Sequence, residues 1–250
     1  MCIRDRPDAE LSQILDQYGI NGDALEPPCN LTLYRDDTRT VLFDAGAGTE
    51  FMPSAGKLAD SLDALGVDPT EVTHVVFTHA HPDHIWGILD DFGDLAFPEA
   101  EYLIGQEEWD YWTDPNTVEI IGEARAAFAV GAKRRLDLIE DRITRFEDGQ
   151  EVLPGITAMA TFGHTPGHMA LDIMGEMLVL GDAIANHHVA FARPEWQSGS
   201  DQDRAIGAAT RTKLLSRLAA SEQSVLGFHL PDGGMGRVAR AGEGYQFNPL

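Results

Sequence analysis

Four side chains able to hold a metal ion, His79, His81, Asp83 and His84, fall within six consecutive positions of this chain, in the stretch Thr78-His79-Ala80-His81-Pro82-Asp83-His84. The stretch follows the apolar run Val75-Val76-Phe77, which reads as a buried strand. Loop backbone leaving such a strand turns back across the sheet edge before the next helix, so closely spaced donors there can converge on one point. Imidazole and carboxylate suit zinc and similar borderline ions. No cysteine stands nearby to suggest a structural Cys-rich site.

Three further candidate ligands stand just beyond three other strand-like runs: His164 after Ile156 to Phe162, Asp182 after Met177 to Gly181, and His229 after Val225 to Phe228. Singly, each reads equally well as a capping aspartate or a hydrogen-bonded core histidine. As a set recurring at strand ends, they supply the ligands that a two-metal site would still need.

Further β-rich runs are Leu31 to Tyr34, Thr40 to Phe43, Val72 to Thr78, Tyr102 to Gly105, Met169 to Ile173 and Met177 to Leu180. The first two should pair as a hairpin over Asp36 and Asp37. Three helical stretches separate the later runs. One is capped by Ser54, carries Leu58, Leu62 and Leu65 on one stripe and stops at Gly66; a long one spans Val118 to Glu140; a third runs from Arg204 to Ala220 with Leu214, Leu215 and Leu218 inward. Strands paired early and alternating with helices later give a layered α/β sandwich rather than a pure Rossmann sheet. No repeat or linker divides the chain. Residues 7–250 are read as one domain, and Met1 to Arg6 (MCIRDR) as a non-native start.

Composition bears on partners. Lys and Arg total 18 against 41 Asp and Glu, a formal net charge of −23, which repels nucleic acid and anionic membrane surfaces. Cys2 and Cys29 are the only cysteines. Without a C-x-x-C pair they indicate neither a disulfide framework nor a thiolate metal site, although a single Cys2 to Cys29 bridge stays open. No apolar run approaches the roughly 20 residues that span a bilayer, and no secretory h-region is present. The expectation is a soluble protein, cytoplasmic by default and periplasmic or secreted if a leader has been lost. Its expected partner is a small-molecule substrate, with a homodimer open.

The order H-x-H-x-D-H, then Gly163-His164-Thr165-Pro166-Gly167-His168, then Leu180-Gly181-Asp182, then Gly227-Phe228-His229 resembles the metallo-β-lactamase superfamily over nearly the whole chain. That resemblance implies a four-layer αβ/βα sandwich and two divalent metal ions, zinc by expectation. His79, His81 and His164 would hold one ion, Asp83, His84 and His229 the other, with Asp182 bridging. Weaker stretches, Asp44-Ala45-Gly46-Ala47-Gly48, Pro53-Ser54-Ala55-Gly56-Lys57-Leu58, Phe97-Pro98-Glu99-Ala100 and Gly242-Glu243-Gly244-Tyr245-Gln246-Phe247, are similar to the branch that includes methyl parathion hydrolase and related lactonases. Trp86 departs from the pattern, since a small residue is usual there, and an indole would reshape the pocket floor.

The implied reaction is hydrolysis of a lactone, aryl ester or phosphotriester. Two cations about 3.5 to 4 Å apart bring the pKa of a shared water from roughly 16 to about 7, giving hydroxide at neutral pH. Asp83 would ligate and also orient or deprotonate that water, and Asp182 would fix the metal separation. Asp44 is the candidate partner that holds a ligand imidazole in place, whereas His74 and His168 are read as structural. Phe51, Trp86, Trp112, His187, His188, Phe191 and Trp196 are candidate substrate-lining residues, and His187 or His188 a candidate leaving-group acid. No tyrosine falls between Asp182 and Trp196, where homoserine-lactone lactonases usually offer one. The alternatives are a thioester hydrolase resembling glyoxalase II, which would need a more basic C-terminal region, and a β-lactamase. A nuclease is disfavoured by the charge.

Overall fold

The computed structural model describes residues 8–20, 25–52 and 54–250. Cys2, the Met1 to Arg6 start and Pro53 lie outside the described residues. The chain forms two compact units: a central one, Leu31–Val152, and an outer one made of Met1–Asn30 with Leu153–Leu250.

The central unit is built on strands β1 (Thr32–Arg35), β2 (Thr40–Phe43), β3 (His74–Val76), β4 (Glu101–Gly105) and β5 (Ile143–Phe146), in sheet order β1-β2-β3-β4-β5. β1 and β2 pair antiparallel with Leu33 opposite Leu42, and the remaining neighbours are parallel. The turn between β1 and β2 is closed by Asp36, whose Oδ1 accepts the backbone N–H groups of Thr38 and Arg39, the local bonding that suits Asp to turns. Parallel strands need helical crossovers, and α2 (Leu58–Leu65), α3 (Pro82–Ile85), α4 (Gln106–Thr113), α5 (Thr117–Ile120) and α6 (Ala126–Ile139) lie between them. The core joins Leu42, Val75, Phe77 and Ile104 from the sheet side to Ile85, Trp112, Leu136 and Ile139 from the helices.

Three helix expectations are corrected. Ser54 does not cap α2; the helix begins at Leu58 after Lys57, with no side-chain cap, and ends as expected at Gly66 in the left-handed region. Leu65 is exposed, so its stripe reduces to Leu62, buried, and Leu58, half-buried. The long stretch at Val118 to Glu140 is two helices, because Gly122 adopts φ +85°, which an α-helix cannot contain.

The outer unit holds α1 (Asp8–Gln17), α7 (Val189–Ala192), α8 (Arg204–Ala219) and the strands β7 (Ile156–Ala160), β8 (Met169–Ile173), β9 (Met177–Val179), β10 (Ser224–Leu226), β11 (Met235–Ala241) and β12 (Gly244–Pro249). Short β6 (Glu151–Leu153) falls at the unit junction. The sheet runs β12-β11-β10-β9-β8-β7, antiparallel except for the β9–β10 pair. Asp203 caps α8 by accepting from Ala205 N and Ile206 N, worth about 1 kcal/mol. Leu214, Leu215 and Leu218 of that helix are buried with Leu178, Val225 and Val238, each contributing roughly 2 kcal/mol by removal from water. Among the described residues no helix is long and apolar enough to cross a membrane.

Candidate functional site

The sheet of the central unit delivers the histidine-rich loop directly. β3 ends at Val76 and α3 starts at Pro82, with Pro at its first position, where a missing N–H costs nothing. His79, His81 and His84 are buried, and Asp83 keeps 19% of its side chain exposed. His79 Nε2 lies 3.0 Å from His81 Nδ1, the His79 and His84 ring centroids are 3.9 Å apart, and His84 Nε2 lies 3.8 Å from Asp83 Oδ2.

Hydrogen bonds around this loop decide where the imidazole protons sit. Asp44 Oδ1 accepts the backbone N–H of Thr78 at 2.8 Å and its Oδ2 accepts the Thr78 hydroxyl at 2.9 Å. That hydroxyl has spent its proton on the carboxylate, so at 3.0 Å its oxygen accepts from His79 Nδ1. His84 Nδ1 lies 2.8 Å from Asp44 Oδ2 and donates to it. Both rings are left with a bare Nε2, the form a metal ligand must take. Asp44 does this from a left-handed backbone, φ +64°, which aspartate tolerates better than most residues.

Glu108 in α4 gives the loop its second anchor. It is fully buried, and its Oε1 accepts the Ala80 N–H at 2.8 Å and the Trp112 indole N–H at 2.6 Å. Ala80 stands between His79 and His81, so one carboxylate fixes the backbone that displays both. The sequence pointed to neither Glu108 nor this role, because a Gln-Glu-Glu run ordinarily reads as a solvated face.

The outer unit presents His164 after β7, Asp182 after β9 and His229 after β10. Asp182 Oδ2 lies 3.3 Å from His164 Nε2 and 3.3 Å from His229 Nε2, so it stands between the two imidazoles. His229 Nδ1 lies 2.7 Å from the Pro28 carbonyl, to which it can only donate, so in the neutral ring Nε2 is the nitrogen open to a ligand bond. His168 is no part of this trio. Its Nδ1 meets Thr161 Oγ1 at 2.8 Å and its Nε2 accepts the backbone N–H of Asp182 at 2.9 Å, so it secures the aspartate's main chain. His74, half-buried in β3, meets the Thr73 hydroxyl. Sequence reasoning also missed Asp201, buried, whose Oδ1 lies 3.4 Å from His164 Nδ1. Burial pushes its carboxyl up, but hydrogen bonding to His164 and the Arg211 charge outweigh this and hold it below the ordinary value.

The residues proposed to line a substrate pocket have varied surroundings within their own units. Trp112 is core, and Phe191 is core against Phe247. Trp86, half-buried, meets Phe51 edge-on and carries the Arg135 guanidinium 4.5 Å above its ring. Trp196 is half-buried, its carbonyl accepting from Arg211. His187 and His188 wall a cavity of about 370 Å³ together with Tyr18, Ala185, His229 and Pro231. Burial and the neighbouring His187 push His188 down to about 4, and burial lowers His187 as well. Both rings are therefore uncharged at neutral pH, which takes away the proton a leaving-group acid would donate. The segment from Asp182 to Trp196 has no tyrosine, yet Tyr18 stands edge-on to both rings at 5.1 and 5.5 Å.

These donors fit metal ions. A carboxylate oxygen 3.3 Å from two imidazole nitrogens, His164 Nε2 and His229 Nε2, is a donor set that a cation would join. All seven donor groups are nitrogen or oxygen, the set that zinc and similar ions accept.

Comparison with known proteins places these features in company. The family described as Metallo-beta-lactamase superfamily matches residues 25–223. Among curated relatives, the uncharacterized protein YobT of Bacillus subtilis is 28% identical over 159 residues, 63% of this chain and 62% of that protein. The N-acyl homoserine lactonase AttM of Rhizobium radiobacter is 31% identical over 115 residues, 45% of this chain and 40% of that protein. The matches therefore span less than two thirds of these relatives' length. Among solved structures, the hydrolase AbOPH of the beta lactamase superfamily superposes with a TM-score of 0.91 at 28% identity, covering 99% of this chain and 88% of that one. AidC, a dizinc quorum-quenching lactonase in complex with a product, N-hexnoyl-L-homoserine, gives 0.91 at 25% identity, with 98% and 87% covered.

Proposed function

This chain belongs to the metallo-β-lactamase superfamily, and on that premise we propose that it is a dinuclear, most simply dizinc, hydrolase that opens lactone, aryl-ester or phosphotriester bonds, its two units acting as one domain over residues 7–250. The observation that carries this reading is Asp182 Oδ2 at 3.3 Å from both His164 Nε2 and His229 Nε2, since a carboxylate shared between two imidazoles is what a ligand bridging two ions has to be. His79, His81 and His164 would hold one ion, and Asp83, His84 and His229 the other. Bound there, the ions would supply a hydroxide-strength nucleophile at neutral pH and a Lewis acid for the substrate oxygen.

The chain's own groups do the rest. The bare Nε2 atoms of His79, His84 and His229 are kept so by Thr78, Asp44 and the Pro28 carbonyl. Asp83, the most exposed of the proposed ligands on its loop, orients the attacking water and takes its proton at a carboxylate oxygen. His187 and His188, uncharged, serve as cavity wall rather than acid. The lactonase activity for which AttM and AidC are named favours a lactone as substrate over a thioester. Arg237 and Arg240 are the only basic residues after His229, a poor match to an anionic glutathione conjugate.

A panel assay of the zinc-loaded protein on lactones, nitrophenyl esters, a phosphotriester, a β-lactam and a glutathione thioester tests this. Lactones and activated esters should be turned over. A thioester rate higher by orders of magnitude, or zinc content at background, would overturn the assignment.

A further inference from the structure

We infer that the buried Asp201–Arg211 pair is a positioning device that sets the tautomer of His164. The inference rests on the reading of His164 as a metal ligand. Its geometry lies wholly in the outer unit. Asp201 Oδ1 faces His164 Nδ1 at 3.4 Å, and Asp201 Oδ2 accepts from Arg211 at 3.2 Å. Side chains of both Asp201 and Arg211 are at least 96% buried. A carboxylate only accepts, so Asp201 calls for a proton on His164 Nδ1, and Nε2, 3.3 Å from Asp182 Oδ2, is the nitrogen turned to where an ion would bind.

Arg211 does more than neutralise the acid. Its other nitrogens donate to the carbonyls of Pro194, at 3.2 Å, and Trp196, at 2.7 Å, so α8 grips the loop that carries Asp201. The same loop is tied to the ligand's own backbone, because Gln202 N donates to His164 O and Asp203 N to Gly163 O. Two glycines make room for this clasp. A Cβ on Gly207 would stand 2.5 Å from Asp201 Oδ2, and one on Gly163 would stand 2.2 Å from Gly207 N. The guanidinium thus orients the carboxylate, the carboxylate orients the imidazole, and neither needs to touch substrate.

D201N gives a sharp test. With five donors and no acceptor, Arg211 must draw the amide oxygen toward itself, which turns the NH2 group to His164 and forces Nδ1 to accept. The proton then moves to Nε2, the nitrogen needed for ligation. In metal-free full-length protein, long-range 1H–15N correlation should report His164 Nδ1 protonated in the wild type and unprotonated in D201N. The resonance is assigned by its loss in H164Q. Chelator competition should show zinc affinity reduced about 10- to 100-fold in D201N, and reduced in G207A, which displaces the carboxylate without changing charge. Adding R211M to D201N frees the amide to rotate and should recover part of the affinity. A wild-type His164 with Nδ1 unprotonated, or a D201N protein with its Nδ1 protonation and zinc affinity unchanged, would overturn the assignment. Absence of zinc binding by the wild type would count against the metallohydrolase reading alone, since the tautomer is read without metal.

Discussion

Asp44 Oδ2 lies 2.8 Å from His84 Nδ1 with both side chains buried, and the same carboxylate holds the amide and hydroxyl of Thr78. One acid therefore sets the proton positions on two of the proposed ligands. Asp44→Ala should lower zinc affinity about 10- to 100-fold. It should also cost roughly 2–4 kcal/mol of stability, because buried donors lose their acceptor and φ +64° suits alanine poorly. Asp44→Asn, which tolerates that backbone, should lose less stability. Chelator competition and urea melts measure the two effects separately.

Asp182 presents one oxygen to two imidazoles, so its loss should be felt at both proposed ions. Asp182→Ala should drop bound zinc well below two per chain and take hydrolysis of a nitrophenyl ester down with it. Elemental analysis beside turnover checks this, and a variant that keeps full metal content and full rate removes the bridging role.

Glu108 differs in that it would touch no metal, yet it holds the loop between two ligands. Glu108→Ala leaves the Ala80 amide and the Trp112 indole N–H buried without this acceptor, at a cost of about 1–3 kcal/mol for each donor. Glu108→Gln keeps an acceptor oxygen for one of them and should cost roughly half as much. Both should weaken zinc binding less than Asp44→Ala, because imidazole tautomers are untouched; equal loss would mean that loop placement outweighs proton placement.

Much of this was readable from the chain because apolar runs and donor residues alternate locally. β2 and β8 fall on the expected residues, and the ligand-type side chains follow their strands in order. β11 and β12 were not legible: Met235–Ala241 is rich in Gly, Ala and Arg, and its burial follows from pairing with β12 and cover from α8 rather than from hydrophobicity of its own. α4 was missed because Gln106–Thr113 opens on the polar run Gln-Glu-Glu, of which Glu108 is buried through its hydrogen bonds beside Trp109 and Trp112. Asp201 stands 37 positions from His164 in an irregular loop, and no local pattern carries that distance.

His188 makes stability depend on pH. Its folded value, about 4, lies below the ordinary 6.5, so between those two values the unfolded chain binds more protons than the folded one. Stability contributed by the neutral ring is full above about pH 6.5 and is lost as pH falls toward 4, to the extent of roughly 1–3 kcal/mol. His188→Gln should flatten that loss. Urea melts of both proteins at about pH 7 and pH 4.5 would show it, and parallel curves would exclude His188 as the source.

Trp86, which stands where a small residue is usual in the family, is matched by a glycine across from it. A Cβ on Gly131 would lie 2.3 Å from Trp86 Cζ2, with the rest of the indole edge within 2.8 Å, and Arg135, one turn on, covers the ring at 4.5 Å. Gly131 sits inside α6, where alanine is normally worth about 1 kcal/mol more than glycine. In this protein Gly131→Ala should instead destabilise by roughly 1–3 kcal/mol, since the indole would have to leave its packing against Phe51 and Arg135. Trp86→Ala alone should cost about 3 kcal/mol or more through the lost packing. Once the indole is gone the clash is gone, so adding Gly131→Ala to Trp86→Ala should raise stability by up to about 1 kcal/mol. That change of sign in a double-mutant cycle separates a steric pair from two independently intolerant positions, which would simply add.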